Sequence, residues 1–167
     1  RKSAHRGSRA IEGANRTMTT ALTPNAANHD GLGPMDSRFV ETHTMPWETT
    51  RYPGVEAKTL LVDRRTGLLT VLLKMAPGAM LPDHEHVQIE QTFVIEGALV
   101  CAEGTCSAGN FVWRPAGSRH QAGTPNGGLM LATFQLPNKF FEADGSATDM
   151  LGQEWNAFWG GASGNSL

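Results

Sequence analysis

The stretch GAMLPDHEHVQIEQTFVIEG, residues 78–97, contains two histidines and a glutamate whose separations are all even: His84, His86 and Glu90. Side chains at even offsets share one face of a β-strand, so on a strand all three would point the same way. On a helix, His84 and His86 would lie about 200° apart and could not bind one ion together. The stretch therefore predicts a metal-binding strand. It excludes the helical zinc-protease motif, which needs histidines four residues apart.

A further histidine follows a turn downstream of this stretch. His120 comes after Pro115 and Gly117, which are typical of a tight turn that sends the chain back along a sheet. Because three donors leave a first-row metal ion under-coordinated, His120 is the expected additional ligand from a neighbouring strand. Gln88 and Thr92 share the parity of the first three donors, so we expect them to line the pocket beside the metal or to hydrogen-bond its ligands.

Around these residues the chain consists of short runs rich in Val, Leu, Phe and Thr, separated by Gly, Pro and Asp. Such runs without helices between them are typical of an antiparallel sandwich or small barrel. Apolar residues at 151, 155, 158 and 159 predict a short amphipathic helix near the C-terminal end. The pattern predicts strands at 39–43, 55–62, 68–75, 88–95, 99–101, 110–114, 119–122 and 129–136.

The length and composition set the domain organisation. A chain of 167 residues fits one compact domain, which we place at residues 37–167. Residues 1–36 contain almost no large apolar side chain, and basic residues are scattered over the first sixteen positions. We therefore expect residues 1–36 to form an extended N-terminal arm that is flexible or in part an addition to the natural chain.

Charge and hydropathy exclude several classes of partner. Fourteen basic and sixteen acidic side chains give a formal charge of -2, so the chain lacks the positive field that holds nucleic acid or an anionic membrane. Its uncharged apolar runs are far shorter than the roughly 20 residues of a membrane helix. The N-terminal region has no apolar block of the kind that directs secretion. The cytoplasm is therefore the expected location.

The two cysteines, Cys101 and Cys106, flank a predicted two-residue turn at Glu103 and Gly104. Such a turn would place them opposite each other across a hairpin, within reach of a disulfide. In a reducing compartment we expect two free thiols instead. Two cysteines are too few for a four-cysteine zinc site.

Together these residues resemble the two sequence motifs of the cupin superfamily, a group of small β-barrels. The second motif, G-x5-P-x-G-x2-H-x3-N, is matched except at its last position, where Thr124 replaces asparagine. The matching residues of the second motif are Gly109, Pro115, Gly117 and His120. The first motif, G-x5-H-x-H-x3-E-x6-G, is matched in full by Gly78, His84, His86, Glu90 and Gly97.

The resemblance implies an all-β fold, the antiparallel jelly-roll barrel or double-stranded β-helix of the RmlC-like cupins. It also implies one divalent metal ion inside the barrel, with iron(II) favoured and zinc, manganese or nickel compatible. The implied ligands are His84, His86, Glu90 and His120. A homodimer formed through outer strands is a further implication.

Three functions agree with this resemblance. The chain is similar to mononuclear non-haem iron(II) dioxygenases of the acetylacetone-cleaving type, which implies cleavage of a small diketone or hydroxyketone with dioxygen and Glu90 as a catalytic residue. The stretch NFVWRPAGSRH, residues 110–120, is also similar to the cupin half of anti-sigma-factor proteins. That similarity implies a metal-binding sensor or ligand-binding module without turnover. A non-oxidative, metal-dependent isomerase or lyase is the third alternative.

Overall fold

The structure is a computed structural model that describes residues 19–163. Residues 1–18 of the predicted arm lie outside this range. Within the described residues the chain forms eleven strands and one short helix. In chain order they are β1 (Glu48–Thr49), β2 (Val55–Asp63), β3 (Leu68–Met75), β4 (Met80–Glu85), β5 (Glu90–Cys101), β6 (Gly104–Ser107), β7 (Phe111–Arg114), β8 (Arg119–Gly123), β9 (Gly128–Phe134), β10 (Lys139–Phe141), β11 (Ala147–Thr148) and α1 (Trp155–Trp159).

The strands form two antiparallel sheets that share the long strand β5. The first half of β5 pairs with β7 and β9, and its second half pairs with β6 and β8. One sheet continues from β9 through β3 and β2 to β1, and the other from β8 through β4 and β10 to β11. This arrangement is an antiparallel jelly roll with a short C-terminal helix, which confirms the predicted fold class.

An apolar core fills the space between the sheets. Alternate residues of β3 are buried, including Val71, Leu73 and Met75, and the neighbouring strand β9 contributes Met130 and Phe134. This two-residue period is the one that a pleated strand imposes when one of its faces points inward. Burial of each such side chain stabilises the fold by about 1.5–3 kcal/mol relative to leaving it exposed.

Gly97, the last residue of the first motif, is required by a close backbone approach. Its φ is +71°, in the left-handed region that favours glycine. A Cβ at this position would lie 2.1 Å from the carbonyl oxygen of Gly127. Gly97 pairs with Gly128 on β9, just after a register shift between Val94 and Glu96. The glycine therefore lets β5 bend as it passes from one sheet to the other.

Most predicted strands are confirmed, with ends shifted by one or two residues. The runs predicted at 88–95 and 99–101 are a single strand, β5. The strand predicted at 39–43 is wrong. There the amides of Thr42 and Thr44 donate to the carbonyls of Val40 and Glu41, so these backbone groups form local turns instead of a ladder.

Strand β4 was absent from the predicted series because Pro82 lies within it. Proline has no amide hydrogen for a ladder and is usually found at an edge or a bulge. In this structure the register of β4 against β8 shifts between Leu81 and His84, so Pro82 occupies the irregular segment. The proline is accommodated without ending the strand.

The C-terminal helix is shorter than the predicted 150–159 segment. It begins after Glu154, whose carboxylate accepts hydrogen bonds from the amides of Asn156 and Ala157. Gly152, with a φ of +81°, forms a turn before it and prevents an earlier start. Trp155 is buried against the outside of the barrel, as the amphipathic pattern predicted.

Part of the predicted N-terminal arm contacts β2. The amide of Leu22 donates to the carbonyl of Val62, and the amide of Val62 donates back. The Thr20 hydroxyl also donates to Asp63. These contacts attach residues 20–22 to the barrel, and the domain boundary at residue 36 stays a prediction.

The cysteines are free thiols, but the predicted register of their hairpin is wrong. The turn is formed by Ala102 and Glu103, so Cys101 pairs with Gly104. Cys106 pairs with Leu99 instead of Cys101. The two sulfurs are therefore diagonal neighbours, one register step away from the predicted direct opposition.

No helix in the described part of the chain is long and apolar enough to cross a membrane.

Candidate metal centre

Three histidines converge inside the barrel from two neighbouring strands. His84 on β4 is the direct cross-strand neighbour of His120 on β8, so both side chains lie on the same face. His86 follows the end of β4 and is held by the turn of the second motif. Its amide donates to Ser118 O at 2.9 Å, and its carbonyl accepts from the amide of Gly117 at 2.7 Å. The turn thus fixes the position of His86 as well as that of His120.

The imidazoles are close enough to share one ion. Their ring centroids lie 4.8 Å apart for His84 and His120, 5.0 Å for His86 and His120, and 5.1 Å for His84 and His86. One ring nitrogen of each lies within 4.8 Å of the others. Ligands bound to one metal at about 2.1 Å stand roughly 3–4 Å from each other, so a small inward adjustment completes such a site.

The donors do not lie on one strand, so the reason given for their common direction is wrong. The chain leaves the β conformation at residues 86–89, and Glu90 begins the next strand, β5. The even spacing of His84, His86 and Glu90 therefore does not act through strand alternation. The three side chains meet because β4 and β5 belong to facing parts of the same barrel.

Hydrogen bonding leaves metal-binding nitrogens free. His84 Nδ1 donates to the carbonyl of Pro82 at 2.7 Å, which leaves Nε2 with its lone pair. His86 Nε2 and His120 Nδ1 are buried without a hydrogen-bond partner among the described residues, whereas His86 Nδ1 lies 2.6 Å from Glu90 Oε2. Buried polar atoms are almost always satisfied in native proteins. Two unsatisfied imidazole nitrogens, on rings whose donor atoms lie close to each other and to one of His84, therefore fit a divalent cation.

Burial keeps two of the imidazoles in the form that binds metals. Desolvation lowers the pKa of His84 to about 4. Desolvation, with help from the positive charge of Arg114, lowers the pKa of His120 to about 4. Both rings are therefore neutral at pH 7, and only a neutral ring has a lone pair to donate to a metal.

Glu90 lies beside the histidines and is ionised. Its Oε2 is 2.6 Å from His86 Nδ1, and its Oε1 accepts a hydrogen bond of 2.6 Å from the Thr92 hydroxyl. Asn138 Nδ2 donates to Oε2 at 3.4 Å. Burial opposes ionisation, but the contacts with His86 and Thr92 and the charge of Arg114 outweigh it, so the pKa of Glu90 lies below its ordinary value.

The centre opens into a cavity of about 240 Å³ inside the barrel. This volume lies below the range of about 300–1,000 Å³ that is usual for drug-sized ligands, so it suits a small molecule. Its polar wall includes His84, Glu90, Thr92 and His120. Its apolar wall includes Val71, Leu73, Leu81, Met130, Phe134 and Phe140.

The two predicted pocket residues have different positions. Thr92 is buried, lines the cavity and contacts Glu90. Gln88 lies in the bend between β4 and β5, where its side chain is exposed and outside the cavity wall. The prediction for Gln88 is wrong because the alternation of a strand does not extend through the bend.

Sequence reasoning missed three residues near the centre. Arg114 on β7 lies directly opposite Glu90 on β5, and only the strand register shows that it faces inward. Asn138 follows β9, outside both motifs, and no sequence signal marks it. Cys101 is brought near His120 because the end of β5 pairs with β8, which the predicted hairpin alone did not show.

Solved structures share this fold. A proposed acetylacetone dioxygenase from Methylibium petroleiphilum is 22% identical with a TM-score of 0.63, over 80% of this chain and 96% of that one. An acetylacetone dioxygenase from Acinetobacter johnsonii is 16% identical with a TM-score of 0.54, over 98% and 93% of the two chains. The anti-sigma ChrR of Rhodobacter sphaeroides, solved with SigE, is 23% identical with a TM-score of 0.50, over 56% of this chain and 51% of the ChrR chain.

These identities are low, so the structural similarity shows a common fold and not a common activity. No curated protein matches the chain in sequence. The family model of the ChrR Cupin-like domain matches residues 35–139, which is more than half of the chain and includes all three histidines and Glu90. The chain therefore belongs to the family of ChrR cupin-like domains.

Proposed function

We propose that the protein binds one divalent metal ion through His84, His86, His120 and Glu90. The observation that supports this proposal is the convergence of three imidazoles, two of which, His86 and His120, have a buried nitrogen without a partner among the described residues. Glu90 supplies the negative charge that partly offsets a dication in this apolar interior. Imidazole and carboxylate together suit iron, manganese, nickel and zinc, and we favour iron(II).

We further propose that the protein is a dioxygenase that cleaves a small diketone or hydroxyketone. Iron(II) in the centre would supply the electrons that let dioxygen react with a closed-shell organic molecule. The small apolar cavity and the likeness of the fold to acetylacetone dioxygenases support this substrate class.

The protein's own residues have defined roles in this proposal. The apolar wall, with Leu73, Met130 and Phe134, excludes bulk water from the reacting molecule. Thr92 holds Oε1 of Glu90 by a hydrogen bond, which orients the carboxylate toward His86. We assign Glu90 as the catalytic residue, because its ionised carboxylate belongs to the cavity wall beside the three histidines.

Metal analysis combined with oxygen uptake tests this function. Protein purified without added metal is assayed for metal content and then, after loading with iron(II), for oxygen consumption with acetylacetone and a panel of small hydroxyketones. We expect about one metal ion per chain and oxygen uptake that depends on substrate. Glu90→Gln, which keeps the shape of the side chain, should lower the rate by at least about 100-fold. Glu41→Gln, at an exposed glutamate outside the cavity wall, is the matched control.

A protein that binds no metal would contradict the metal site. Metal binding without turnover would contradict the dioxygenase and favour the second candidate, a metal-dependent sensor or ligand-binding module. That candidate is supported by the family itself, the ChrR cupin-like domains. Conversion of a substrate without oxygen consumption would instead favour a metal-dependent isomerase or lyase.

We also propose a homodimer formed through the outer face of β5 and β7. Four large apolar side chains are exposed there: Phe93, Ile95, Phe111 and Trp113. Phe93 and Phe111 are direct cross-strand neighbours, so the patch is continuous. Trp113→Glu should convert the dimer to a monomer in sedimentation velocity, whereas a wild-type monomer at micromolar concentration would contradict the proposal.

The cytoplasm stays the predicted location, which cell fractionation tests.

A further inference from the structure

Arg114 is a buried cation that forms no ion pair with the described part of the chain. Its residue is 5% exposed, at the end of β7. Its Nε and Nη1 have no hydrogen-bond partner among the described residues, and Nη2 contacts only Cys101 Sγ, at 3.5 Å. Within the described range, no carboxylate oxygen lies within 4.0 Å of a nitrogen of the Arg114 guanidinium.

The guanidinium of Arg114 cannot avoid the cost of a buried charge by losing its proton, because arginine stays charged in proteins. Buried charges are normally paired and hydrogen-bonded, since an unpaired one is costly to remove from water. Glu90 lies across the ladder from Arg114, but its carboxylate oxygens contact His86, Thr92 and Asn138. Nε and Nη1 of Arg114 therefore lack an acceptor among the described residues, and an external acceptor that reached them would satisfy them.

Arg114 also lines a second cavity, of about 270 Å³, between β7 and the β5–β6 hairpin. Cys101, Cys106, Thr105 and Asn110 belong to the same wall. Leu99 lines both this cavity and the one that contains the histidines, so the two cavities share a wall residue. The second cavity is thus a distinct space that adjoins the metal centre.

We infer that this second cavity binds the carboxylate group of a small molecule, with the Arg114 guanidinium as its counter-ion. The planar fork of N–H donors matches the two oxygens of a carboxylate. A monoanion brings one negative charge to Arg114, whereas a phosphate dianion brings two into a cavity that Glu103 also lines. The inference goes beyond the proposed function, because it requires neither the metal nor turnover.

A cation is the rival occupant of this region. Cys101, Glu103 and His120 each offer a donor atom, and these atoms lie within 4.8 Å of one another. The Arg114 guanidinium, however, contacts the sulfur of Cys101 and would repel a second metal ion there. Glu103 is also exposed and free to move into solvent. The charge distribution therefore favours an anion over a cation.

Binding of matched small probes to the metal-free protein tests the inference. Acetate and acetamide have the same shape and differ in charge, and phosphate is the dianion probe. Calorimetric or NMR titration should show that acetate and pyruvate bind wild type, that acetamide does not, and that phosphate binds more weakly than acetate. Absence of carboxylate binding, equal binding of acetamide, or tighter binding of phosphate would overturn it.

Variants of Arg114 connect this binding to the residue. Arg114→Gln should weaken acetate binding by at least about tenfold, since a charged hydrogen bond is lost. Arg114→Lys keeps the charge but not the fork, so its affinity should lie between wild type and Arg114→Gln. Arg65→Gln, at an exposed arginine on the β2–β3 turn, should bind acetate as wild type does.

If Arg114→Gln does not fold, Arg114→Lys and the wild-type comparison of acetate with acetamide still decide the question. Wild-type affinity in every Arg114 variant would show that the carboxylate binds elsewhere and would overturn the inference. Because these titrations use metal-free protein and no oxygen, their outcome is independent of the test of the dioxygenase.

Discussion

At the scale of single residues, the candidate centre depends on which ring nitrogens stay free. The carbonyl of Pro82 can only accept, so it fixes the proton of His84 on Nδ1 and leaves the lone pair of Nε2 for a metal. Pro82 therefore has two effects: it makes β4 irregular, and it selects the tautomer of the adjacent ligand. The motif spacing identifies the histidines in the sequence, but it does not show the hydrogen bond from His84 to this carbonyl.

Removal of a single imidazole should remove most of the bound metal. His84→Ala or His120→Ala deletes one of few donors, so affinity should fall by more than the roughly 10- to 100-fold that is typical of changes behind a ligand. Metal content by mass spectrometry after dialysis measures the loss. His43→Ala, at an exposed histidine, is the matched control and should keep its metal. Full metal content in both ligand variants would show that the site is assigned wrongly.

The buried histidines should also make the metal-free protein less stable in acid. An unfolded histidine has a pKa of about 6.5, whereas the pKa of both His84 and His120 in the fold is about 4. Between these values the unfolded chain binds more protons, so the free energy of unfolding falls as pH decreases from about 6.5 to about 4. His84 should dominate, because His120 is only half-buried.

Urea denaturation at a series of pH values measures this effect. The double variant His84→Gln/His120→Gln lacks both titrating rings, and its stability should vary less over the same range. An equal pH dependence in wild type and double variant would show that these histidines do not cause it.

At the scale of elements, the bend of β5 is where glycine is indispensable. Gly97→Ala would combine a left-handed φ with a Cβ that overlaps the carbonyl of Gly127. We expect a loss of at least about 2 kcal/mol in the free energy of unfolding. Gly145→Ala has a similar φ of +85° but open space around the added atom, so it should cost about 1 kcal/mol. Chemical denaturation compares the two, and equal losses would contradict the role of the overlap.

Elements with regular alternation and glycine or proline at their ends could be predicted from the sequence, and β2, β3 and β9 are examples. Elements whose sequence departs from this regular pattern could not be predicted. Pro82 concealed β4, and β10 has three residues, too few for a periodic signal. The run at 39–43 has strand composition but pairs with no strand within residues 19–163, and composition does not show whether a partner strand exists.

At the scale of the whole molecule, the histidine cluster and the second cavity differ in how far they could be predicted. Each histidine belongs to a motif, so local spacing identified all three. Arg114 and Cys101 meet only through the register of β5 against β7 and β8, which the sequence does not specify at single-residue resolution. The predicted hairpin register was wrong by one step, and that error was enough to hide the contact.

Because β5 is hydrogen-bonded within both sheets, its amide hydrogens should be the last to exchange with heavy water. Residues 90–94 lie between β7 and β9, so the protection of the whole segment is lost only when neighbouring strands separate on both sides. The two-residue strands β1 and β11, at the ends of the sheets, should exchange first. Mass spectrometry of peptides from 90–101 and from 46–50 measures the difference, and equal protection would contradict it. The slowest-exchanging segment would then include Glu90, so deuterium could reach the amide of this residue only through near-global unfolding.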